Sequence, residues 1–380
     1  MLKKKILLVF GTRPEAIKMA PLVNMLKMES DSFEVIVCVT SQHREMLDQV
    51  LKIFEIKPDI NLNLMMHNQN LTNLTSLILN EMQKVISELQ PDIVLVHGDT
   101  TTSLATSIAA FYNSIPIGHV EAGLRTYNLN SPFPEEFNRQ TTSKIAKWHF
   151  APTDLSQQNL LSEGIKKSFI KVTGNTVIDA LHLALKQISK DKIRKENIEN
   201  FLNSNLLFNW KIKNFILITA HRRENFGEGI TQICFALKKL SQIYPSLNFV
   251  YPVHMNPNIN NPVYKYLSGI NNIHLINPLE YESFVYLLQH SYLVLTDSGG
   301  IQEEAPSLGK PVLVMRNITE RPEAVKAGTV KIIGSNDKKI IDGVSRLLED
   351  KKLYQNMSRS HNPYGDGNAC RRIVDILRTI

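Results

Sequence analysis

The sequence predicts an α/β protein with two Rossmann-like domains, and three observations support this class. Short apolar runs with the length of buried parallel strands alternate with helical patterns along most of the chain. The alternation stops in a Lys-, Glu- and Asn-rich segment at residues 186–205 and then resumes. The chain has 380 residues, which is too many for one ordinary hydrophobic core. We therefore expect two parallel sheets, each wrapped by helices.

The first half of the chain predicts five strands that alternate with five helices. The predicted strands are Ile6–Phe10, Val35–Thr40, Ile93–Val96, Ile115–Val120 and His149–Ala151. The predicted helices are Glu15–Met28, Arg44–Phe54, Leu71–Leu89, Thr101–Tyr112 and Glu135–Ala146. This order is typical of an open parallel sheet whose strands are joined by helical crossovers.

The second half repeats the design after residues 186–205, which we interpret as an exposed helix or connector. Its predicted strands are Phe215–Thr219, Asn248–Val253, Ile273–Ile276, Tyr292–Thr296, Val312–Met315 and Val330–Ile333. Turn formers at 361–370 precede a last helix, Arg371–Ile380. We predict an N-terminal α/β domain of residues 1–174 and a C-terminal, ligand-binding α/β domain of residues 175–364. The last helix, from about residue 365 to 380, is predicted to pack back on the first domain.

A glycine-rich turn after the strand Tyr292–Thr296 predicts a phosphate site. Ser298 has the residue type of a helix N-cap, and Gly299-Gly300 lets the backbone turn sharply. A strand that runs through such a turn into a helix presents N–H groups and the positive end of the helix dipole. Glu303 and Glu304 follow, and Arg321 comes after the next strand. A nucleoside diphosphate would suit these groups, with its diphosphate on the turn, a ribose hydroxyl on a carboxylate and an Arg as a clamp.

Polar groups also follow the other strands, where ligands of open parallel sheets bind. These groups are Arg13, Lys18, Asp99, Glu121, His221 and His254. Each has a purely structural alternative: Lys18 as a solvated helix residue, Asp99 as a helix cap, Glu121 as a loop acid. Glu135 and Glu136 fit a helix start, where acids stabilise the dipole.

Several function classes lack a motif in this chain. The net charge of +7 comes from scattered basic residues, so we expect no nucleic-acid partner. The segment Gly11-Thr-Arg-Pro-Glu lacks the spacing of a dinucleotide site, and no P-loop is present. Three distant cysteines predict neither a disulfide framework nor a metal site. The apolar run before Gly11 is too short for a signal peptide or a membrane span, so we expect a cytoplasmic protein.

Ten segments, in order from the first strand to the end of the chain, match one family. They are Phe10–Pro21, Gln42–Leu47, Val96–Thr102, Gly118–Thr126, Pro134–Glu136, Thr173–Asp179, His221–Glu224, Thr296–Met315, Glu320–Glu323 and Asn362–Gly367. Together they resemble the non-hydrolysing UDP-N-acetylglucosamine 2-epimerases over essentially the whole chain.

The resemblance implies a GT-B fold with the active site in the interdomain cleft, no cofactor and a homodimer. It implies interconversion of UDP-GlcNAc and UDP-ManNAc by elimination and re-addition of UDP, for bacterial surface polysaccharide. Its implied UDP-binding residues are Arg13, Ser298, Gly299, Gly300, Glu304 and Arg321, with Phe284 and the backbone near Leu279 at the uracil. Around the sugar and the scissile bond it implies Lys18, Asp99, Glu121, Glu135, Arg139 and His221. A substrate-activation site is implied at Gln42, Glu136, Arg222 and His254.

Three other functions stay open at this stage. A GT-B glycosyltransferase would use the same UDP site, and a hydrolysing epimerase would release UDP and ManNAc irreversibly. A UDP-sugar sensor would need the UDP site but none of the acids Asp99, Glu121 and Glu135. The chemistry of C2 favours an epimerase, because its proton becomes acidic only as the C1–O bond breaks. Such a reaction needs carboxylates on two faces of the ring and a cationic cradle for the diphosphate.

Overall fold

Buried apolar strands form the centre of the molecule, as the sequence predicts. The computed structural model describes residues 3–41, 44–64 and 69–380. All side chains from Ile6 to Phe10 are completely buried, and so are those from Phe215 to Ile218. Full burial of one such aliphatic or aromatic side chain contributes about 1.5–3 kcal/mol, which makes these strands the anchors of the fold. The chain divides into two compact units, which are residues 1–183 with 364–380 (unit 1) and residues 184–363 (unit 2).

Unit 1 alternates strands and helices along its whole length. Its elements are β1 (Lys4–Phe10), α1 (Arg13–Met28), β2 (Phe33–Val39), α2 (Arg44–Ile53), β3 (Ile60–Asn61), α3 (Leu71–Leu89), β4 (Ile93–His97), α4 (Thr101–Tyr112), β5 (Ile117–Val120), α5 (Glu135–Ile145), β6 (Trp148–Ala151), α6 (Asp154–Ser162), β7 (Ile170–Val172), α7 (Thr176–Lys190) and α16 (Ala369–Thr379). Within the described residues the strands form a parallel sheet in the order β3-β2-β1-β4-β5-β6-β7.

Unit 2 has the same design on one continuous stretch of chain. Its elements are α8 (Lys192–Asn205), β8 (Phe215–Thr219), α9 (Glu228–Ile243), β9 (Asn248–Pro252), α10 (Pro257–Leu267), β10 (Ile273–Ile276), α11 (Tyr281–His290), β11 (Leu293–Thr296), α12 (Gly299–Ser307), β12 (Val312–Val314), α13 (Pro322–Lys326), β13 (Val330–Ile332), α14 (Asp337–Glu349) and α15 (Lys351–Arg359). Its strands are also parallel, in the order β10-β9-β8-β11-β12-β13.

The helix α16 returns to unit 1 and closes it. Its apolar side packs against α1 and buries Ile373, Val374 and Leu377. The buried Asp179 carboxylate accepts hydrogen bonds from the N–H groups of Ala369 and Cys370, at 3.2 and 2.9 Å, and so fixes the start of the helix. The first division between the units falls within α7, nine residues after the predicted boundary at residue 174.

Two other sequence predictions concern thiols and membranes. The three cysteines are free and buried, and burial raises the pKa of Cys38 and Cys234 to about 12. No helix in the described part of the chain is long and apolar enough to cross a membrane.

Candidate functional site

Each sheet has one point where the strand order reverses, and candidate site residues lie there. In unit 1 the order reverses between β1 and β4, and in unit 2 between β8 and β11. The crossover helices leave such a pair of strands on opposite faces, which opens a crevice at the carboxyl ends. Arg13 and Asp99 follow the first pair, and His221 and Ser298 follow the second.

Glu121 is the residue at which the polar contacts of unit 1 converge. It follows β5 in a left-handed conformation with φ of 62°, which costs a non-glycine residue about 1–2 kcal/mol. Its Oε2 atom contacts Lys18 Nζ, accepts a hydrogen bond of 2.7 Å from Asn175 Nδ2 and lies 3.9 Å from His97 Nε2. The side chain of Lys18 is only 15 % exposed, so its alternative interpretation as a solvated residue is wrong.

The histidine beside Glu121 is neutral at physiological pH. Burial lowers the pKa of His97 to about 4; the negative charge of Glu121 opposes this shift and the positive charge of Lys18 adds to it. Within the described residues, its Nε2 atom is buried and has no hydrogen-bond partner. His97 therefore gives Glu121 a polar but uncharged neighbour, while Lys18 supplies the positive charge.

Asp99 forms a second charged group with Arg139. Its Oδ2 atom lies 2.7 Å from Arg139 Nη2, and its side chain retains 29 % exposure. Burial raises the pKa of Asp99; Arg139 opposes the shift, and Glu121 adds to it. The helix-cap alternative is wrong, because Thr100 is the N-cap of α4 and its hydroxyl accepts from Ser103 N.

Glu135 and Glu136 both begin α5, but their environments differ. Glu136 is completely buried and accepts hydrogen bonds from Thr126 N and Tyr127 N, both at 3.0 Å, and from Gln140 Nε2 at 2.7 Å. Burial alone would raise its pKa, but these hydrogen bonds and Arg139 lower it. By contrast, Glu135 Oε2 is a buried atom with no hydrogen-bond partner in the described part of the chain. Glu136 therefore holds the loop after β5, while the Oε2 atom of Glu135 remains available to accept a hydrogen bond from a ligand.

A buried carboxylate organises the site of unit 2. Asp297 is completely buried and accepts hydrogen bonds from His221 N (2.9 Å), Arg222 N (2.9 Å) and Asn225 Nδ2 (3.0 Å). The ring of His221 stacks on that of His254, with 5.7 Å between centroids. Burial lowers the pKa of His221; Asp297 opposes this shift, and Arg222 and His254 add to it.

The glycine turn of unit 2 is open on one side and flanked by guanidinium groups on the other. A Cβ atom placed on Gly299 would lie 3.7 Å from Arg222 Nη2 and 3.9 Å from Arg321 Cζ. A Cβ on Gly300 would meet no atom within 4 Å. Ser298 is the N-cap of α12, as predicted, although its side chain makes no cap hydrogen bond. The start of α12 therefore has open space beside it and two cationic groups near it.

Carboxylate, aromatic and aliphatic side chains complete this side of unit 2. Arg321 Nε contacts the buried carboxylate of Glu303, and Glu304 accepts a hydrogen bond of 3.3 Å from Tyr281 OH. Leu279 is buried just before α11, and Phe284 is half-buried within that helix. The pairing of Glu303 with Arg321 gives this acid a more specific role than stabilising the helix dipole.

Of the predicted activation-site residues, Gln42 lies outside the described residues. Arg222 borders the glycine turn, His254 covers His221, and Glu136 fixes the loop after β5. Each of the three residues thus has a contact within its own unit.

Sequence reasoning missed four polar residues that support the site. His97, Asn175 and Asp297 contact predicted site residues, and Glu15 joins two turns. The Glu15 carboxylate accepts from Gly11 N (3.1 Å), Thr12 N (2.8 Å) and the Thr100 hydroxyl (2.6 Å). His97 and Asp297 do stand at strand ends, so a stricter census of those positions would have found both.

Two parallel α/β units with polar groups at both reversal points define the chain as a protein of the GT-B type. A family model described as UDP-N-acetylglucosamine 2-epimerase matches residues 26–378, and the chain belongs to this family. The UDP-N-acetylglucosamine 2-epimerase of Escherichia coli K12 is 57% identical over 375 residues, covering 98% of each chain. That of Yersinia pestis is 56% identical over 377 residues, again covering 98% of each.

A solved structure agrees with these relatives. The crystal structure of UDP-GlcNAc 2-epimerase from Neisseria meningitidis bound to UDP-GlcNAc has a TM-score of 0.90 and 53% sequence identity. The similarity covers 99% of this chain and 100% of the other. The predicted fold class and family are thereby confirmed.

Proposed function

We propose that the protein is a non-hydrolysing epimerase that interconverts UDP-GlcNAc and UDP-ManNAc. Membership of the UDP-N-acetylglucosamine 2-epimerase family supports the substrate and the inverted carbon. The observation that carries the proposal is the environment of Glu121, whose carboxylate lies among Lys18, Asn175 and His97. A carboxylate that exchanges a proton with carbon must be held in one orientation, and these contacts hold Glu121 in one.

We propose that unit 2 holds the UDP. The N–H groups at the start of α12 and the guanidinium of Arg321 would bind the diphosphate, while Glu304 takes a ribose hydroxyl and Phe284 stacks near the uracil. Negative charge grows on the diphosphate as the C1–O bond breaks. His221 and Arg13 would stabilise that charge, so that UDP stays bound after it has left the sugar.

The residues of unit 1 would then act on the sugar. The C2 hydrogen leaves as a proton to a carboxylate, its bonding electrons form the C1=C2 bond, and UDP departs with the electrons of the C1–O bond. The result is bound 2-acetamidoglucal. A proton returns to the opposite face of C2, and a UDP oxygen re-forms its bond to C1.

Asp99, Glu121 and Glu135 supply the acid and base groups of this cycle. The raised pKa of Asp99 supports a proton donor, and the contact of Glu121 with Lys18 supports the role of base. Arg139 would hold Asp99 in place. The reaction is redox-neutral overall and needs no cofactor. The family resemblance also supports a cytoplasmic homodimer whose product supplies ManNAc units for surface polysaccharide.

Incubation with UDP-GlcNAc alone in D2O tests the proposal. We expect deuterium at C2 and a mixture of UDP-GlcNAc and UDP-ManNAc that is also reached from UDP-ManNAc. A glycosyltransferase without its acceptor would leave C2 unlabelled. A hydrolysing enzyme would release free ManNAc and would not convert UDP-ManNAc to UDP-GlcNAc, and either result would overturn the proposal.

A further inference from the structure

We propose that Asp297 is a positioning residue that fixes both the orientation and the tautomer of His221. The proposal deepens the proposed function, on which it rests, because it explains how the histidine beside the UDP turn is held. Asp297 is the residue between β11 and Ser298, and His221 is the second residue after β8. These two strands are neighbours at the reversal point of unit 2, although the residues stand 76 positions apart.

The Asp297 carboxylate is occupied by donors from the loop after β8. His221 N lies 3.1 Å from Oδ1 and 2.9 Å from Oδ2, while Arg222 N and Asn225 Nδ2 donate to Oδ2 at 2.9 and 3.0 Å. Asp297 is completely buried, so removal of these hydrogen bonds would leave a charge without solvent or donors. The carboxylate therefore holds the loop that carries His221 against the strand that leads into the glycine turn.

The same carboxylate faces the imidazole ring. His221 Nδ1 lies 3.6 Å from Asp297 Oδ1, and the ring of His254 stacks on His221 at an interplanar angle of 21°. A neutral imidazole carries one N–H, and a nearby carboxylate favours it on the facing nitrogen. In His221 that nitrogen is Nδ1, which leaves Nε2 on the far side of the ring from Asp297.

Three charged or titratable groups act on His221, and only one of them is an anion. Asp297 comes from the end of β11, His254 follows β9, and Arg222 belongs to the same loop. Asp297 favours the protonated imidazole, whereas burial, Arg222 and His254 disfavour it. Loss of the Asp297 charge should therefore change the tautomer and the titration of His221, which a purely structural carboxylate would leave alone.

Asp297→Asn tests the proposal, with Asp179→Asn as its matched control. Asp179 is also a buried carboxylate that accepts two backbone N–H groups, but it lies in unit 1, where it fixes the start of α16. We expect Asp297→Asn to lower kcat/KM roughly tenfold or more, the size seen when supporting partners of functional histidines are removed. The His221 titration, followed by NMR of 15N-histidine, should move to lower pH.

The control should lose stability and keep both the rate per folded molecule and the His221 titration. An unchanged titration and unchanged kcat/KM in Asp297→Asn would overturn the proposal.

The wild-type protein provides a second measurement, which does not depend on the folding of any variant. At a pH where His221 is neutral, its 15N signals, assigned by their absence in His221→Gln, should show hydrogen on Nδ1. A hydrogen on Nε2 would refute the proposed tautomer. This measurement needs no turnover, so it separates a failure of the positioning proposal from a failure of C2 exchange in D2O, which would overturn the epimerase proposal alone.

Discussion

The carboxyl edges of the two sheets have the same topology and opposite chemistry. In both sheets the first strand of the unit lies next to the fourth, and the strand order reverses between these two strands. Unit 1 carries the pairs Glu121–Lys18 and Asp99–Arg139 there, whereas unit 2 carries a glycine turn beside two guanidinium groups. Topology thus decides where a site forms, and residue type decides what it does.

The carboxylates of the two units also differ in how they are used. In unit 2, Asp297 and Glu303 are fully buried, and donors of the same unit bind both of them. In unit 1, Asp99 keeps 29 % exposure, and its pKa is raised. Asp297 and Glu303 thus organise the site of unit 2, whereas Asp99 remains partly accessible to a ligand. This distinction is the basis of the predictions that follow.

The largest expected effect belongs to Glu121→Gln. The amide keeps the shape but cannot take a proton, so C2 deuterium exchange should fall about 10²–10⁴-fold, the range for loss of a general acid or base. Binding of UDP, measured by calorimetry, should remain close to that of the wild type, because Glu121 is not among the groups that we propose bind UDP. Glu34→Gln, an exposed site on β2, is the control and should exchange normally. Equal loss of exchange and UDP binding would contradict the division of roles.

The second prediction concerns acid stability, which should differ between the units. Burial lowers the pKa of His97 and His149 to about 4 and that of His119 to about 3, from an ordinary 6.5. Between about pH 6.5 and 4 the unfolded chain takes up protons that folded unit 1 cannot bind. The free energy of unfolding of unit 1 should therefore decrease as the pH is lowered through this range, by up to about 1.4 kcal/mol per pH unit and per histidine.

The two tryptophans allow this prediction to be measured unit by unit. Trp148 lies in β6 of unit 1 and Trp210 precedes β8 in unit 2, so Trp210→Phe leaves a fluorophore in unit 1 and Trp148→Phe leaves one in unit 2. Urea unfolding of each variant from pH 7 to 4.5 should give the steeper loss for unit 1. His149→Gln, added to Trp210→Phe, should reduce that slope. A unit 1 signal that is independent of pH would disprove the prediction.

The smallest expected effect compares one glycine from each unit. A Cβ on Gly11 would lie 2.0 Å from Thr40 Oγ1 and 2.7 Å from Thr102 Oγ1, so Gly11→Ala should cost about 1–3 kcal/mol through overpacking. Gly300→Ala meets no atom and lies in a helix, so stability should be unchanged or about 0.5–1 kcal/mol higher. It should nevertheless weaken UDP binding by calorimetry. Wild-type affinity in Gly300→Ala would show that the turn does not hold the diphosphate.

Long buried strands were the most predictable part of the fold. Their cores, Ile6–Phe10, Ile93–Val96, Phe215–Ile218 and Leu293–Leu295, are apolar runs, so sequence alone found them. The strands β3 and β7 have only two and three residues, and each is an edge strand with one neighbour in its sheet. Such short edge strands are defined by pairing with a distant strand, β2 or β6, which no local pattern records.

The candidate site was predictable where the chemistry follows a strand directly. Arg13, Asp99, Glu121 and His221 were found in this way, and the structure gives three of them the partners described above. Asn175 was missed as a site residue because its role depends on a partner 54 positions away. Asp297 follows β11 directly, but the sequence does not show that it holds a loop 76 positions away. Sequence patterns identify charged residues at strand ends, but they do not identify the residues that fix those side chains or their loops in place.

The return of α16 to unit 1 sets an order of events during synthesis. A ribosome makes residues 1–183, then all of unit 2, and only then residues 364–380, which complete unit 1. Until that last segment emerges, the face of α1 that packs on α16 has no cover, and the Asp179 carboxylate lacks the N–H groups of Ala369 and Cys370. The unit that is begun first is therefore finished last, and a nascent chain can complete unit 2, with its glycine turn, before the unit that carries Glu121.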